Sequence, residues 1–141
     1  MEIKQSTLKN GLRIITAERP QIETVSLGVW VNTGAAAESE ADNGISHFIE
    51  HMVFKGTKKR NSLQISEDIE NVGGATNAYT SRHFTCFYAK MLKDDLELAT
   101  DVICDFITDP TFDAAEMSKE KEVVVQEIKQ SADAPDDLVF D

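Results

Sequence analysis

The chain has 141 residues, 41% hydrophobic and 28% charged, which suits one globular domain with a real core and excludes a disordered or fibrous chain. A domain of this length buries about two-thirds of its unfolded surface and needs no disulfide staples. The formal net charge of −11 argues against a nucleic-acid surface, which needs clustered Lys and Arg; it would attract basic peptides, although solubility alone accounts for it.

Residues 3–9 and 12–17 read as short strands around the Asn10-Gly11 turn signal, a hairpin. Residues 24–32 alternate around Val25, Leu27, Val29 and Val31, the pattern of a half-buried strand. Gly34 to Asp42 is small and acidic, a loop. Asn43 or Ser46 is the expected cap of a helix through HFIEHMVF that stops near Gly56, and KGTKKRN follows as a basic surface loop.

Ser62 opens a second helix with Leu63, Ile65 and Ile69 as its apolar members, broken at Gly73-Gly74. NAYTS and HFTCFYAKML read as two strands. Asp94 or Asp95 begins a helix through Leu96, Leu98, Val102, Ile103, Phe106 and Ile107, ended by Asp109-Pro110. A longer helix spans residues 113–131, and DAPDD breaks it. Cys86 and Cys104 sit in apolar surroundings without a CxxC pair and are expected as core thiols. This order predicts an α+β fold, a mainly antiparallel sheet with helices packed on one face. Another element begins at LVF, so truncation at Asp141 is expected. Met1 is followed by a mixed polar stretch, with no signal or transit pattern and no long apolar span.

Two of the three histidines stand in HFIEH, residues 47–51. At about 100° per residue, Glu50 lies about 60° to one side of His47 and His51 about 40° to the other, so all three share one helix face. Two imidazoles at that spacing grip one Zn²⁺ and leave the carboxylate beside an activated water, the HxxEH arrangement. Phe48, Ile49, Met52, Val53 and Phe54 surround them, which predicts a helix buried nearly all round. A catalytic zinc needs a further ligand. His83 has no spacing relation to the pair. Glu120 and Glu127, seven residues apart on the last helix with Val123 and Val124 between, share one face; Glu122 falls off it and is expected in solvent. Exposure of both acids at the stripe's edge is the alternative.

HFIEHMVFKGT, GGATNAYTSR and EKEVVVQEI closely resemble the catalytic half of the pitrilysin or insulinase family, nearest to the mitochondrial processing peptidase β-subunit and its bacterial relatives. The resemblance runs from KQSTLKNGLRII to DAPDDLVFD, essentially the whole chain. It implies a processing-peptidase-like sandwich with His47 and His51 as zinc ligands, Glu50 as catalytic base and Glu127 as third ligand. Glu120 matches a further family acid that supports the site. Asn77, Ala78, Tyr79 and Thr80 would form an edge strand to which an extended peptide adds by main-chain hydrogen bonds. His83 stands where the family often has an acid, which bears on local substrate contacts but removes no ligand.

The activity so implied is that of a zinc metalloendopeptidase acting on extended peptides, targeting or processing peptides among them. Residues 1–141 would be an N-terminal catalytic domain, incomplete at its C-terminus and lacking the homologous second half of a clamshell. That half, or a partner subunit in a homo- or heterodimer, is the implied partner, and the fragment alone could be inactive. The implied location is the bacterial cytoplasm, or alternatively the mitochondrial matrix. Two other readings stand beside it: a non-catalytic subunit of the same fold, or an interaction module whose zinc is closed by a fourth ligand such as Cys86 or His83.

Overall fold

A computed structural model describes residues 2–133. The DAPDD helix break and the element at LVF lie outside the described residues. The first hairpin forms as its turn signal predicts, with β1 (Glu2–Thr7) antiparallel to β2 (Arg13–Glu18). Gly11 takes φ +89°, and the Asn10 side chain accepts from the Leu12 amide at 3.1 Å. All twelve strand residues are exposed, and the pair forms a sheet separate from the main one.

The main sheet has the order β3 (Thr24–Val31), β5 (Thr85–Leu92), β4 (Ala75–Thr80), antiparallel throughout. The register sets Val25, Leu27 and Val29 opposite Met91, Ala89 and Phe87, and Ala78 opposite Phe87 on the other side. Side chains alternate across a strand, so these residues share one face. Against it pack Ile65 and Ile69 of α2 (Ser62–Glu70), and Ala99, Val102, Ile103 and Phe106 of α3 (Leu96–Thr108), all essentially inaccessible. The Phe106 ring meets Phe54 and Phe87, with centroids 4.9 and 5.9 Å away. The architecture is the expected α+β arrangement, with helices on one face of an antiparallel sheet.

Two helices complete the described chain: α1 (Ile45–Val53) and α4 (Ala114–Ala132). Neither Asn43 nor Ser46 caps α1. Gly44 does, at φ +89°, and the Glu38 carboxylate in the preceding loop accepts from the Gly44 amide at 2.6 Å and the Ser46 amide at 2.8 Å. A carboxylate there meets the positive end of the helix dipole. Burial pushes the Glu38 carboxyl up, but the bonds from Ser46 and Gly44 outweigh it and hold it below its ordinary value. Gly34 is demanded by close approach, since a Cβ there would lie 2.2 Å from the Ser81 carbonyl oxygen.

The structure corrects other expectations as well. Helix α1 is not buried nearly all round: Met52 and Val53 are, but Ile45 and Ile49 are exposed, because no described element covers that side. Cys104 is exposed on α3, whereas Cys86 is buried. Leu63 is exposed, and α2 starts from an Asn61–Gln64 capping box that places Leu63 on its solvent side.

The basic loop is only half a surface loop. Thr57 and Arg60 are buried while Lys58 and Lys59 are exposed. Arg60 donates to Asp68 at 2.7 Å and Asp105 at 2.8 Å, and also pairs with Asp101, tying the loop to α2 and α3. Thr57 adds a hydroxyl bond to Asp105 at 2.9 Å. Bridges Gly56↔Asn61 and Thr57↔Pro110, with the Thr111 amide on the Gly56 carbonyl, fix the exit of α1 against the entry to α4.

Candidate metal centre

Helix α1 carries His47, Glu50 and His51 on one face, as the spacing requires. Helix α4, capped by Asp113 through the Ala115 and Glu116 amides, packs against α1 and brings two glutamates to that face. His47 Nε2 and His51 Nε2 lie 3.3 and 3.4 Å from the same atom, Glu127 Oε2. The two rings meet edge to face, centroids 4.6 Å apart. One ligand atom from each of His47, His51 and Glu127 falls within 4.8 Å of the others.

Zinc–nitrogen and zinc–oxygen bonds of about 2.0–2.2 Å at tetrahedral angles put neighbouring ligand atoms about 3.4 Å apart. The histidine–glutamate separations match that edge. Two imidazole nitrogens and one carboxylate oxygen are a donor set that zinc accepts, so the residues present fit the ion. The site is open on one side: the His47 and Glu127 side chains are 42% and 46% exposed.

Glu50 is the shielded acid of the face, its side chain 13% exposed. Its Oε2 accepts the Thr80 hydroxyl at 2.6 Å and sits 3.8 Å from His47 Nδ1. Thr80 is inward-facing by register with β5, and its hydroxyl also lies 3.4 Å from that of Thr85.

Glu120 and Glu127 share a face of α4 but meet different surroundings. Glu120 is buried, with Oε1 2.8 Å from His51 Nδ1 and Oε2 2.6 Å from Lys55 Nζ. Burial pushes its carboxyl up, but hydrogen bonds from Lys55 and His51 prevail and hold it below its ordinary value. An ionised carboxylate only accepts, so His51 Nδ1 is the donor to Glu120, and the ring so held turns Nε2 toward Glu127. Exposure at the stripe's edge is therefore excluded for Glu120 and holds for Glu127, which is exposed. Glu122 is exposed, as expected.

Strand β4 lies at the edge of the described sheet and carries Asn77, Ala78, Tyr79 and Thr80. Ala78 and Thr80 face the helices, whereas Asn77 and Tyr79 face the open side, where Tyr79 meets Tyr88 and Phe84 edge to face. His83 is in the turn before β5, which starts at Thr85 because the Ser81 hydroxyl binds the Phe84 carbonyl and accepts from the His83 and Phe84 amides. Among the described residues, neither His83 nor Cys86 joins the cluster of His47, His51 and Glu127. Cys86 lies in the open sheet face opposite Tyr79 and Trp30. Sequence reasoning missed Lys55 and the inward role of Thr80. The four-residue step from His51 to Lys55 was the one available signal; nothing local marks Thr80.

Residues 13–141 match the model of the insulinase family, Peptidase family M16, and the chain belongs to that family. It is 47% identical over 139 residues to the uncharacterized zinc protease YmxG of Bacillus subtilis, covering 99% of this chain and 34% of that protein. It is 41% identical over 140 residues to the mitochondrial-processing peptidase subunit beta of Rattus norvegicus, covering 99% of this chain and 28% of that one. The chain thus spans about a third of the length of the curated relatives it matches. A protease from Helicobacter pylori superposes with TM-score 0.89 at 24% identity, over 92% of this chain and 32% of that one, a likeness of fold.

Proposed function

We propose that this chain carries the catalytic zinc site of a metalloendopeptidase, with His47, His51 and Glu127 as ligands and Glu50 as the base. The observation that carries the reading is the convergence of both Nε2 atoms on Glu127 Oε2, with a shielded carboxylate one residue before His51. Bound there, zinc supplies a Lewis acid that acidifies water and polarises a carbonyl. Glu50 takes the attacking water's proton and hands it to the departing amine nitrogen as the peptide bond breaks. The Thr80 hydroxyl holds Glu50 Oε2 in place for that transfer. Glu120 fixes the His51 ring through Nδ1.

The substrate is an extended peptide that lengthens the main sheet by pairing with β4 at Asn77 to Thr80. A net charge of −11 favours peptides rich in Lys and Arg, such as targeting sequences. Residues 1–141 form the N-terminal catalytic part of a larger assembly, completed by a homologous second half or partner subunit. The assembly works in the bacterial cytoplasm or the mitochondrial matrix; no helix among the described residues is long and apolar enough to cross a membrane.

The test is zinc stoichiometry after dialysis against metal-free buffer, for the wild type, Glu127→Gln and Glu50→Gln. The expected result is about one zinc per chain in the wild type and in Glu50→Gln, with weakened binding in Glu127→Gln. Turnover, assayed with the second half present, should vanish in Glu50→Gln. A folded wild type without zinc, or an active Glu50→Gln, overturns the reading.

A further inference from the structure

We propose that Lys55 is a positioning residue for the metal centre, acting through Glu120 to keep His51 with Nε2 turned toward the metal; this rests on the zinc-peptidase reading above. Lys55 lies two residues past the end of α1 and four past His51. Its Nζ is 2.6 Å from Glu120 Oε2, and the other oxygen, Oε1, is 2.8 Å from His51 Nδ1. One carboxylate is thus gripped at both ends, by a cation on one oxygen and by the imidazole N–H on the other.

The grip has a physical reason. The Glu120 side chain is 9% exposed, and a carboxylate so placed is costly without a cation and fixed donors. The other acids of the centre, Glu50 and Glu127, add negative charge on the same side. Lys55 offsets one of these three charges without competing for the metal side, because it approaches Glu120 from the oxygen turned away from His51. With Lys55 removed, Glu120 is drawn toward solvent, and His51 loses the acceptor that sets its tautomer and ring orientation. Outer partners of metal-binding histidines typically control 10–100-fold in affinity. A lysine serving only as a surface ion pair would leave metal affinity unchanged.

Zinc affinity is read by competition with a chromophoric chelator for wild type, Lys55→Met, Lys55→Arg, Glu120→Gln and the Lys55→Met/Glu120→Gln double variant. Lys55→Met should bind zinc roughly 10-fold more weakly, while Lys55→Arg, which restores the cation, stays within about 3-fold of wild type. In the Glu120→Gln background Lys55→Met should cost less than about 2-fold more, because the path through the carboxylate is already cut. Wild-type affinity in Lys55→Met, or an undiminished loss in the double variant, overturns the proposal. Should Lys55→Met fail to fold, Lys55→Gln carries the same comparison.

If the wild type takes up no zinc, the peptidase reading fails on its own account, and the proposal is decided on the metal-free protein. Long-range ¹H–¹⁵N spectra report which ring nitrogen of His51 carries the proton. A reduced Nδ1–H population in the Lys55 variant supports the proposal, and an unchanged population overturns it.

Discussion

The Thr80 hydroxyl donates to Glu50 Oε2 at 2.6 Å, joining the edge strand of the sheet to the shielded acid on α1. The proposed substrate strand and the proposed base therefore share a mechanical link. A hydroxyl bond to a charged group is worth about 1.5–3 kcal/mol. Thr80→Val should lower turnover of the assembled enzyme roughly 10- to 100-fold, while Thr80→Ser retains most of it. Zinc stoichiometry should be the same in both, since the Thr80 hydroxyl bonds to Ser46, Glu50 and Thr85 and to none of the three proposed ligands. Equal activity in wild type and Thr80→Val would remove Thr80 from the mechanism.

Arg60 presents a stability prediction. Its guanidinium is buried and spans Asp68 of α2 and Asp101 and Asp105 of α3. Removing one partner of a buried pair leaves uncompensated charge, at a cost of about 3–5 kcal/mol. Asp105 is the shielded member at 10% exposure, whereas Asp68 and Asp101 are open to water, so Arg60→Met should cost about 3 kcal/mol. Urea denaturation measures it as a lowered midpoint at unchanged slope. A midpoint within error of wild type would mean that the loop is held by Thr57 and the bridges to Pro110 and Asn61 instead.

This clamp also marks where the sequence was hard to read. KGTKKRN has the composition of a solvated loop, and the partners of Arg60 lie on two other helices. The clue was present in Asp101 and Asp105, four residues apart and hence on one face of α3, but a pattern of acids does not say which cation reaches them. Strand β3 was legible because its alternation survives, with Val25, Leu27 and Val29 packed toward the core. The exposed side of α1 was not, because apolar content says how much a helix can bury and not whether a neighbour exists. The two glutamates of α4 show the same limit: a seven-residue step puts them on one face, yet only the approach of Lys55 and His51 separates a buried Glu120 from a half-open Glu127.

Acid should unfold the metal-free protein through identifiable groups. Glu38, Glu120 and Asp101 are held below their ordinary values of 4.5, 4.5 and 3.8. For Glu38 and Glu120 burial works against the hydrogen bonds that prevail; for Asp101 the bonds from Lys59 and Arg60 lead. A depressed folded pKa gives stability that is full above the unfolded pKa and lost as pH falls through the folded one. Thermal melts should therefore hold a plateau above about pH 5 and decline below it. Glu38→Gln should flatten part of that decline, since the Glu38 carboxylate accepts from the Gly44 and Ser46 amides at the start of α1. A decline of the same steepness in the variant would assign the acid sensitivity to the other two carboxylates.

Zinc should act on α4 more than on the rest of the fold. Most α4 side chains are exposed, Met117, Val123, Val125 and Ile128 among them, and Glu120 and Val124 are its buried described residues. Few buried apolar contacts mean a low local opening free energy. A ligand bridging His47 and His51 on α1 to Glu127 on α4 binds only the docked helix, so at 100 times its Kd it stabilises that state by about 2.7 kcal/mol. Hydrogen exchange should thus slow in α4 on adding zinc, while β5 and α3, which house Phe87, Val102 and Phe106, change little. Glu127→Gln should abolish most of the slowing without altering the metal-free pattern. Uniform slowing across β5, α3 and α4 would instead mean that α4 opens only with global unfolding, and that its docking is already as stable as the core.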